Sequence, residues 1–388
     1  MIVGASTRFL AQSAKRVGGA ICAIDLFGDR DLVDNCCCVK VATLELAELQ
    51  RGIGELKEQL DELPKRVAIT GGMENRPDEL QWLAEHFRLE GSSIENIARL
   101  MSPSSLERFA QTRRIRFPKI SSQIPPTEET GLWLSKPVKS AGGSRIRFCN
   151  KDCDYDKFEA QQTYCQKFVH GQSYGSTFVV NDDGCQMIGT ASQIIGDEKF
   201  GAATDSFTYC GSIGPMKLAA NMETQVAAIG DAVAREFGLR GVFGVDWVLD
   251  SDSQVWLIEI NPRVPASAEL YERSGVIDGL FKAMLQRTKL EFFDTAIFHG
   301  KAIVYSNFEK AIRVSKSFSD EIWAARNEPA GFADIPMPGT IVQPGAPICS
   351  LLGISPDHDS LQRQLESRAG DILRRIKKLE PVTDSSML

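Results

Sequence analysis

A lysine at the end of an apolar run, followed closely by a loop of glycines and serines, is a combination that can hold a phosphate. Here Lys136 closes the run Leu132-Trp133-Leu134-Ser135 and precedes Ser140-Ala141-Gly142-Gly143-Ser144. Backbone N–H groups in such a loop can close over phosphate oxygens while the ammonium supplies a point charge to the same group. No Gly-Lys-Ser/Thr follows the glycines, and the next segment reads as a strand, so this is not a P-loop. Taken alone, the stretch also fits a hairpin with a Gly-Gly turn and a solvated lysine.

A second constellation lies further on. The apolar runs Gly241 to Asp250 and Val255 to Asn261 are joined by Ser251-Asp252-Ser253-Gln254, which reads as a β-hairpin. With residues 251–254 as the turn, Asp250 pairs with Val255, Leu249 with Trp256, Val248 with Leu257 and Trp247 with Ile258. Asp246 then falls opposite Glu259. The other face carries Val245, Trp247, Leu249, Trp256, Ile258 and Ile260, a core surface in agreement with that register. Two carboxylates facing each other across a sheet repel unless a cation lies between them. Mg2+ suits the place, being a hard ion that takes carboxylate and amide oxygens and leaves positions for phosphates, and Mn2+ shares that preference. Asp246, Glu259 and Asn261 are therefore the expected metal ligands. Arg263, two residues beyond Asn261, points to the same face with a charge it cannot lose. A surface hairpin with solvated acids is the alternative, but four polar groups aligned at the end of an apolar hairpin favour a site.

These residues need a scaffold. The strand-like runs Met1 to Ala5, Ala20 to Ile24 and Arg66 to Thr70, separated by helical patterns, predict an open parallel α/β domain over residues 1–100. Asp25 stands where a ribose-binding acid could, yet Gly4-Ala5-Ser6-Thr7-Arg8 lacks the spaced glycines of a dinucleotide fold. Ser6, Thr7 and Glu74 remain candidates for substrate contacts there. A helix is expected from about Ser105 to Thr112, then strands and turns from Leu132, a helix from Thr224 to Phe237 and an amphipathic helix from Ser360 to Lys378.

Composition narrows the function classes. The 388 residues carry a net charge of -7 from interspersed acids and bases, so no basic stripe offers itself to nucleic acid. No apolar run approaches membrane-spanning length, and no signal peptide is evident. The ten cysteines are expected to be reduced thiols in the cytoplasm. Cys36, Cys37 and Cys38 would alternate between the faces of a strand and so could not converge on one metal.

Lys136-Pro137 with Gly142-Gly143, then Gln166-Lys167-Phe168-Val169-His170-Gly171, then Asp246 and Glu259-Ile260-Asn261-Pro262-Arg263, resemble the ordered motifs of the ATP-grasp superfamily. The layout resembles biotin carboxylase, and more closely the carboligase group that includes tyramine-glutamate ligase. The resemblance implies an α/β protein built from the parallel amino-terminal domain, a two-part ATP-grasp domain over 101–290 with a lid at about 105–168 and a larger part at 169–290, and a carboxylase-like carboxy-terminal region, 291–388. It further implies that Lys136 binds ATP phosphates beneath Ser140, Gly142, Gly143 and Ser144. Gln166, Lys167, Phe168 and Val169 would form the hinge that meets adenine. Lys136 and Arg263 would serve as catalytic residues, with Arg145 and Ser267 as further carboxylate contacts. The implied reaction is Mg-ATP-dependent activation of a small carboxylate as an acyl phosphate, followed by attack of an amine, in a cytoplasmic ligase that could form a homodimer.

One departure stands out. Where the superfamily has an earlier phosphate-binding lysine, this chain reads Pro103-Ser104-Ser105-Leu106-Glu107-Arg108, leaving Arg108 and Arg113 as the nearest cations. That gap favours a non-catalytic ATP-binding protein as one alternative. A biotin-carboxylase-like enzyme activating bicarbonate is the other.

Overall fold

The computed structural model describes the chain except residues 19, 124–130, 150–162, 286–289, 329 and 380–388. Part of the lid expected at 105–168 therefore lies outside the described residues. Its first layer is a parallel five-stranded sheet of β1 (Ile2–Gly4), β2 (Cys22–Asp25), β3 (Cys37–Lys40), β4 (Arg66–Ile69) and β5 (Arg88–Glu90), in the order β3-β2-β1-β4-β5. The helices α1 (Arg8–Arg16), α2 (Arg30–Val33), α3 (Leu46–Gln59) and α4 (Pro77–His86) connect these strands. The loops after β1 and β4 thus open at the point where strand order reverses, the usual place for a ligand crevice in such sheets. Two helices, α5 (Ile94–Leu100) and α6 (Pro103–Arg113), lead out of this layer.

A small antiparallel sheet follows: β6 (Ile120–Ser121), β7 (Trp133–Pro137), β8 (Arg147–Phe148) and β9 (Thr163–Lys167), ordered β6-β9-β7-β8. Lys136 lies on β7 and Gln166 on β9. Because the two strands pair antiparallel, with Leu134 opposite Gln166 and Lys136 opposite Tyr164, the sheet sets lysine and hinge side by side.

The remaining strands are β10 (Gln172–Asn181), β11 (Gly184–Ile195), β12 (Tyr209–Gly214), β13 (Gly241–Leu249), β14 (Val255–Asn261), β15 (Phe298–Tyr305), β16 (Ile312–Arg313), β17 (Phe332–Ala333), β18 (Ile341–Val342) and β19 (Pro347–Ser355). Eight of them make one sheet, β14-β13-β10-β11-β12-β15-β19-β17, while β16 pairs with β18. On this sheet and around it lie α7 (Ala220–Glu236), α8 (Ala268–Arg273), α9 (Leu280–Leu285), α10 (Lys316–Ala324) and α11 (His358–Ile376).

Periodicity accounts for the two long helices. Leu361, Leu365, Ala369, Ile372 and Ile376 recur every three or four residues and are the buried face of α11, whose first turn is capped by Asp357 accepting from Ser360 N–H at 2.8 Å. Likewise α7 buries Val226, Ile229, Gly230, Val233 and Ala234 against the sheet. Gly230 has to be glycine, since a Cβ there would come within 2.2 Å of the Phe178 ring.

Candidate active site

The β13–β14 hairpin reaches the expected opposition of Asp246 and Glu259 by a different path. Leu249 pairs with Val255, Val248 with Trp256 and Trp247 with Leu257, one residue out from the expected register. A bulge at Ile258 then restores the pairing of Asp246 with Glu259 and Val245 with Ile260. The bulge also corrects the expected core face. Val255, Leu257 and Ile260 are the β14 residues in the core, whereas Ile258 lines the cavity and Trp256 donates its indole N–H to Asp250 at 2.7 Å. A one-residue insertion flips the side chains on either side of it, so the carboxylates meet while the apolar residues near the turn exchange faces.

The cavity between the small sheet and the large one measures about 430 Å³. It gathers Lys136, Gly142, Gly143, Gln166, Lys167, Phe168 and Val169 from one side, and Asp246, Glu259, Asn261, Arg263 and Ser267 from the other. Ser140 and Ser144 stand outside its lining. The Ser144 hydroxyl donates back to Ala141 at 3.0 Å, and the Ser140 carbonyl accepts from the Asn75 amide at 3.0 Å, tying the loop to the amino-terminal layer. Arg145 likewise turns away and donates to the Lys139 carbonyl. Arg108 is exposed on α6, and Arg113 pairs with Glu236, so neither cation fills the place of the missing early lysine.

The loop's glycines are required by its path. Gly142 and Gly143 have φ of 64° and 72°, in the left-handed region. A Cβ on Gly143 would lie 1.8 Å from the Phe207 carbonyl oxygen, while Tyr209 N–H bonds the Gly142 carbonyl at 2.9 Å. The loop is thereby seated on the segment leading into β12. Phe207 packs edge-on against Phe148 and Phe168, forming an aromatic wall at the hinge end of the cavity.

Lys136 is 4% exposed and donates to Gln166 Oε1 at 3.1 Å, with Glu259 3.7 Å away. Burial alone would lower its pKa; the neighbouring Tyr164 and Glu259 outweigh it, and the ammonium is held charged. The Gln166 amide uses its oxygen this way and leaves Nε2 buried without a partner among the described residues. Asp246 accepts from Gln193 Nε2 and Asn261 Nδ2, both at 2.8 Å. Burial, with Glu259 opposite, pushes its carboxyl up to about 6. Gly175 on β10 keeps this corner open, because a Cβ there would be 2.9 Å from the Gln193 amide. Arg263 spans two layers: Nε donates to Glu74 of the amino-terminal layer at 2.8 Å and Nη2 to Asn261 Oδ1 at 3.2 Å.

Asp246 and Glu259 are facing carboxylates, that of Asp246 raised by burial and by its neighbour, the condition a hard divalent cation relieves; Asn261 turns its Nδ2 to Asp246 and its Oδ1 to Arg263, and would join an ion through that oxygen only after leaving Arg263. Among the described residues no group of three or more His, Cys, Asp or Glu side chains is placed to hold a metal, so an ion here would draw further ligands from a bound phosphate. The unpartnered Gln166 donor, the loop seated over the cavity and Lys136 fit a nucleotide in the same way.

Three participants had no sequence signal of their own. Gln193 comes from β11, two strands from Asp246 across β10. Tyr164 depends on the pairing of β7 with β9 for its place beside Lys136, and Phe207, outside any strand, meets the hinge through its ring contact with Phe168. Glu74, a weak candidate in the sequence, proves to be the partner of Arg263.

Residues 105–267 match the ATP-grasp domain family. Among curated proteins no significant match is found. Among solved structures, the chain is similar to carboxyaminoimidazole ribonucleotide synthase from Aspergillus clavatus complexed with ATP, at 15% identity and a TM-score of 0.68, covering 97% of this chain and 98% of that one. Biotin carboxylase from Campylobacter jejuni aligns at 12% identity and a TM-score of 0.66, covering 96% and 94%. The biotin carboxylase domain of Hydrogenobacter thermophilus 2-oxoglutarate carboxylase, solved with MgADP, ADP and bicarbonate, aligns at 13% and 0.67, covering 98% and 90%.

Proposed function

We propose that this chain, an ATP-grasp protein by its residues 105–267 and by its fold, is a ligase that uses Mg-ATP to activate a small carboxylate and join it to an amine, forming a C–N bond. The observation that carries the reading is the convergence of Lys136, Asp246, Glu259, Asn261 and Arg263 on one cavity walled by the Gln166–Val169 segment. Mg-ATP supplies the phosphoryl group that turns the carboxylate into an acyl phosphate.

The chain's own residues bind, orient and exclude. Lys136, fixed by Gln166, places a positive charge over the phosphates, and the backbone of Gly142 and Gly143 closes above them. Asp246, Glu259 and Asn261 would hold Mg2+ on the opposite wall. Arg263 is oriented by Glu74, so its guanidinium faces the substrate carboxylate from a fixed direction and compensates charge that develops during transfer. The loop from 140 to 144, braced by Asn75, keeps water from the activated acid. Departing from a superfamily pattern at the early lysine, the chain leaves Lys136 and Arg263 as the cations for this task.

A second reading has one observation in its favour. A solved relative of the same fold holds bicarbonate beside MgADP, so bicarbonate is the alternative acid. Purified protein with Mg-ATP, screened against pools of carboxylic acids, amines and bicarbonate for ADP release, separates the two. ADP release that needs an acid and an amine together, and that Glu259→Ala abolishes, supports the ligase. Release with bicarbonate and no other acid moves the assignment to carboxylation, and Mg-ATP binding with no turnover in any pool counts against both enzymes and for a nucleotide sensor.

A further inference from the structure

The outer face of the small sheet carries chemistry that the cavity does not use. Gln166 lines the cavity, so its neighbour Cys165 on β9 points to the opposite face, where it is fully buried. Cys149 directly follows β8, and its backbone N–H bonds the Trp133 carbonyl of β7 at 2.7 Å. Trp133, Cys149 and Cys165 form one small apolar cluster there, with Cys149 partly exposed.

Within that cluster the two thiols meet: Cys149 Sγ stands 3.3 Å from Cys165 Sγ. A thiol is a weak donor and a weak acceptor, so the contact itself contributes little. Other thiols of the chain turn to oxygen instead. Cys37 Sγ donates to Gln59 Oε1 at 3.2 Å, and Cys210 Sγ to the Thr208 carbonyl at 3.4 Å. A disulfide bond is about 2.05 Å long, so the Cys149 and Cys165 sulfurs need approach by only about 1.2 Å to reach it.

The strands β8 and β9 lie on either side of β7 and share no ladder. A bridge from Cys149 to Cys165 would join them directly. Both ends of the bridge adjoin residues that shape the cavity: Phe148 packs against the hinge ring of Phe168, and Gln166 holds Lys136 through its Oε1. Drawing the sulfurs together therefore shifts the hinge strand relative to the aromatic wall. Exposure assigns the two roles. Cys149 is the thiol an oxidant can reach, and Cys165, 0% exposed, is the one that resolves the product.

We propose that Cys149 and Cys165 are a reversible oxidation site, in which hydrogen peroxide converts the two thiols to a disulfide that staples the small sheet and weakens nucleotide binding. The Cys149 thiolate attacks a peroxide oxygen, the O–O bond breaks, and a sulfenic acid and hydroxide form. The Cys165 sulfur then attacks the sulfenic sulfur, its proton leaves with the departing hydroxide as water, and the S–S bond closes. Each sulfur is oxidised by one electron, and the peroxide is reduced to two waters. Small thiols reverse the step by exchange, so in a reducing compartment the closed form is transient. The effect on nucleotide binding rests on the reading of the cavity proposed above; the bridge itself does not.

The test treats the whole reduced chain with a small molar excess of hydrogen peroxide, maps its peptides by mass spectrometry without reduction, and titrates Mg-ATP calorimetrically before and after. A linked peptide pair containing Cys149 and Cys165, a loss of Mg-ATP affinity of roughly tenfold and reversal of both by dithiothreitol support the site. Cys149→Ser should show neither change, and Cys153→Ser, at a position outside the described residues, should show both. Sulfinic acid at Cys149 with no link, a link from either cysteine to Cys153, or a bridge that leaves Mg-ATP affinity unchanged overturns the proposal. If the reduced protein fails to bind Mg-ATP, the cavity assignment falls, and the peptide map alone decides the oxidation site.

Discussion

Two buried charge clusters, one around Arg8 and one around Lys136, use the same residue types to opposite ends. Around Arg8 of α1, Glu269 of α8 and Asp334 are bonded directly to its guanidinium and to the Lys301 ammonium of β15. Around Lys136, the two carboxylates face each other, Glu259 is held no nearer than 3.7 Å by the lysine, and the Gln166 donor has no partner among the described residues. A cluster complete within the chain serves to fix segments that are far apart in sequence. A cluster left incomplete is shaped by what it will bind.

The contrast predicts opposite consequences of mutation. Arg8→Ala leaves Glu269 and Asp334 buried with Lys301 as their chief counter-charge, and should cost about 3–5 kcal/mol of stability in urea unfolding. Glu259→Gln, on a side chain 41% exposed, should change stability by less than about 1 kcal/mol while lowering substrate-dependent ADP release roughly 10²- to 10³-fold. If Arg8→Ala proved mild and Glu259→Gln unfolded the protein, the division between the two clusters would be wrong.

Acidity separates them as well. Glu269 is held down to about 2: burial works against this, but Arg8 and Lys301 outweigh it. Its contribution to stability is present above the ordinary glutamate range, near pH 4, and disappears as the pH falls through about 2. Asp246 has the reverse sign. Its folded carboxyl titrates at about 6, above its unfolded value, so its contribution is complete below about pH 4 and is lost as the pH rises through 6. Stability curves of Glu269→Gln and Asp246→Asn against wild type should show these two slopes in their separate windows. Above pH 6, added Mg-ATP should restore stability in wild type and do so much less in the asparagine variant.

A smaller effect concerns the loop. Gly143→Ala would drive a methyl group into the Phe207 carbonyl, displacing the loop and weakening nucleotide binding by roughly tenfold, with little change in the Arg8 cluster. Calorimetric titration with Mg-ATP checks it.

The legibility of the two clusters in the sequence differs for the same reason. Asp246, Glu259, Asn261 and Arg263 sit on one hairpin, so alternation of apolar and polar residues was enough to place them on one face, even though the bulge at Ile258 lay hidden. A bulge leaves no mark when the residue it inserts is as apolar as its neighbours. The Arg8 cluster joins positions 8, 31, 269, 301 and 334, and no local periodicity connects them. The same holds for Gln193, which reaches Asp246 from another strand, and for the joining of β15 and β19 to the sheet that carries the hairpin. Helices with a buried face, such as α7 and α11, were legible to within a few residues because the core selects their apolar spacing directly.

The most direct measurement is calorimetric titration of Mg-ATP into wild type, Lys136→Ala and Glu259→Gln. If the open cluster is a Mg-ATP site, wild type binds one equivalent, Lys136→Ala weakens it by at least about tenfold, and Glu259→Gln removes the dependence on magnesium. Absence of binding to the wild-type protein, or binding that both variants leave unchanged, would contradict the assignment of this cavity.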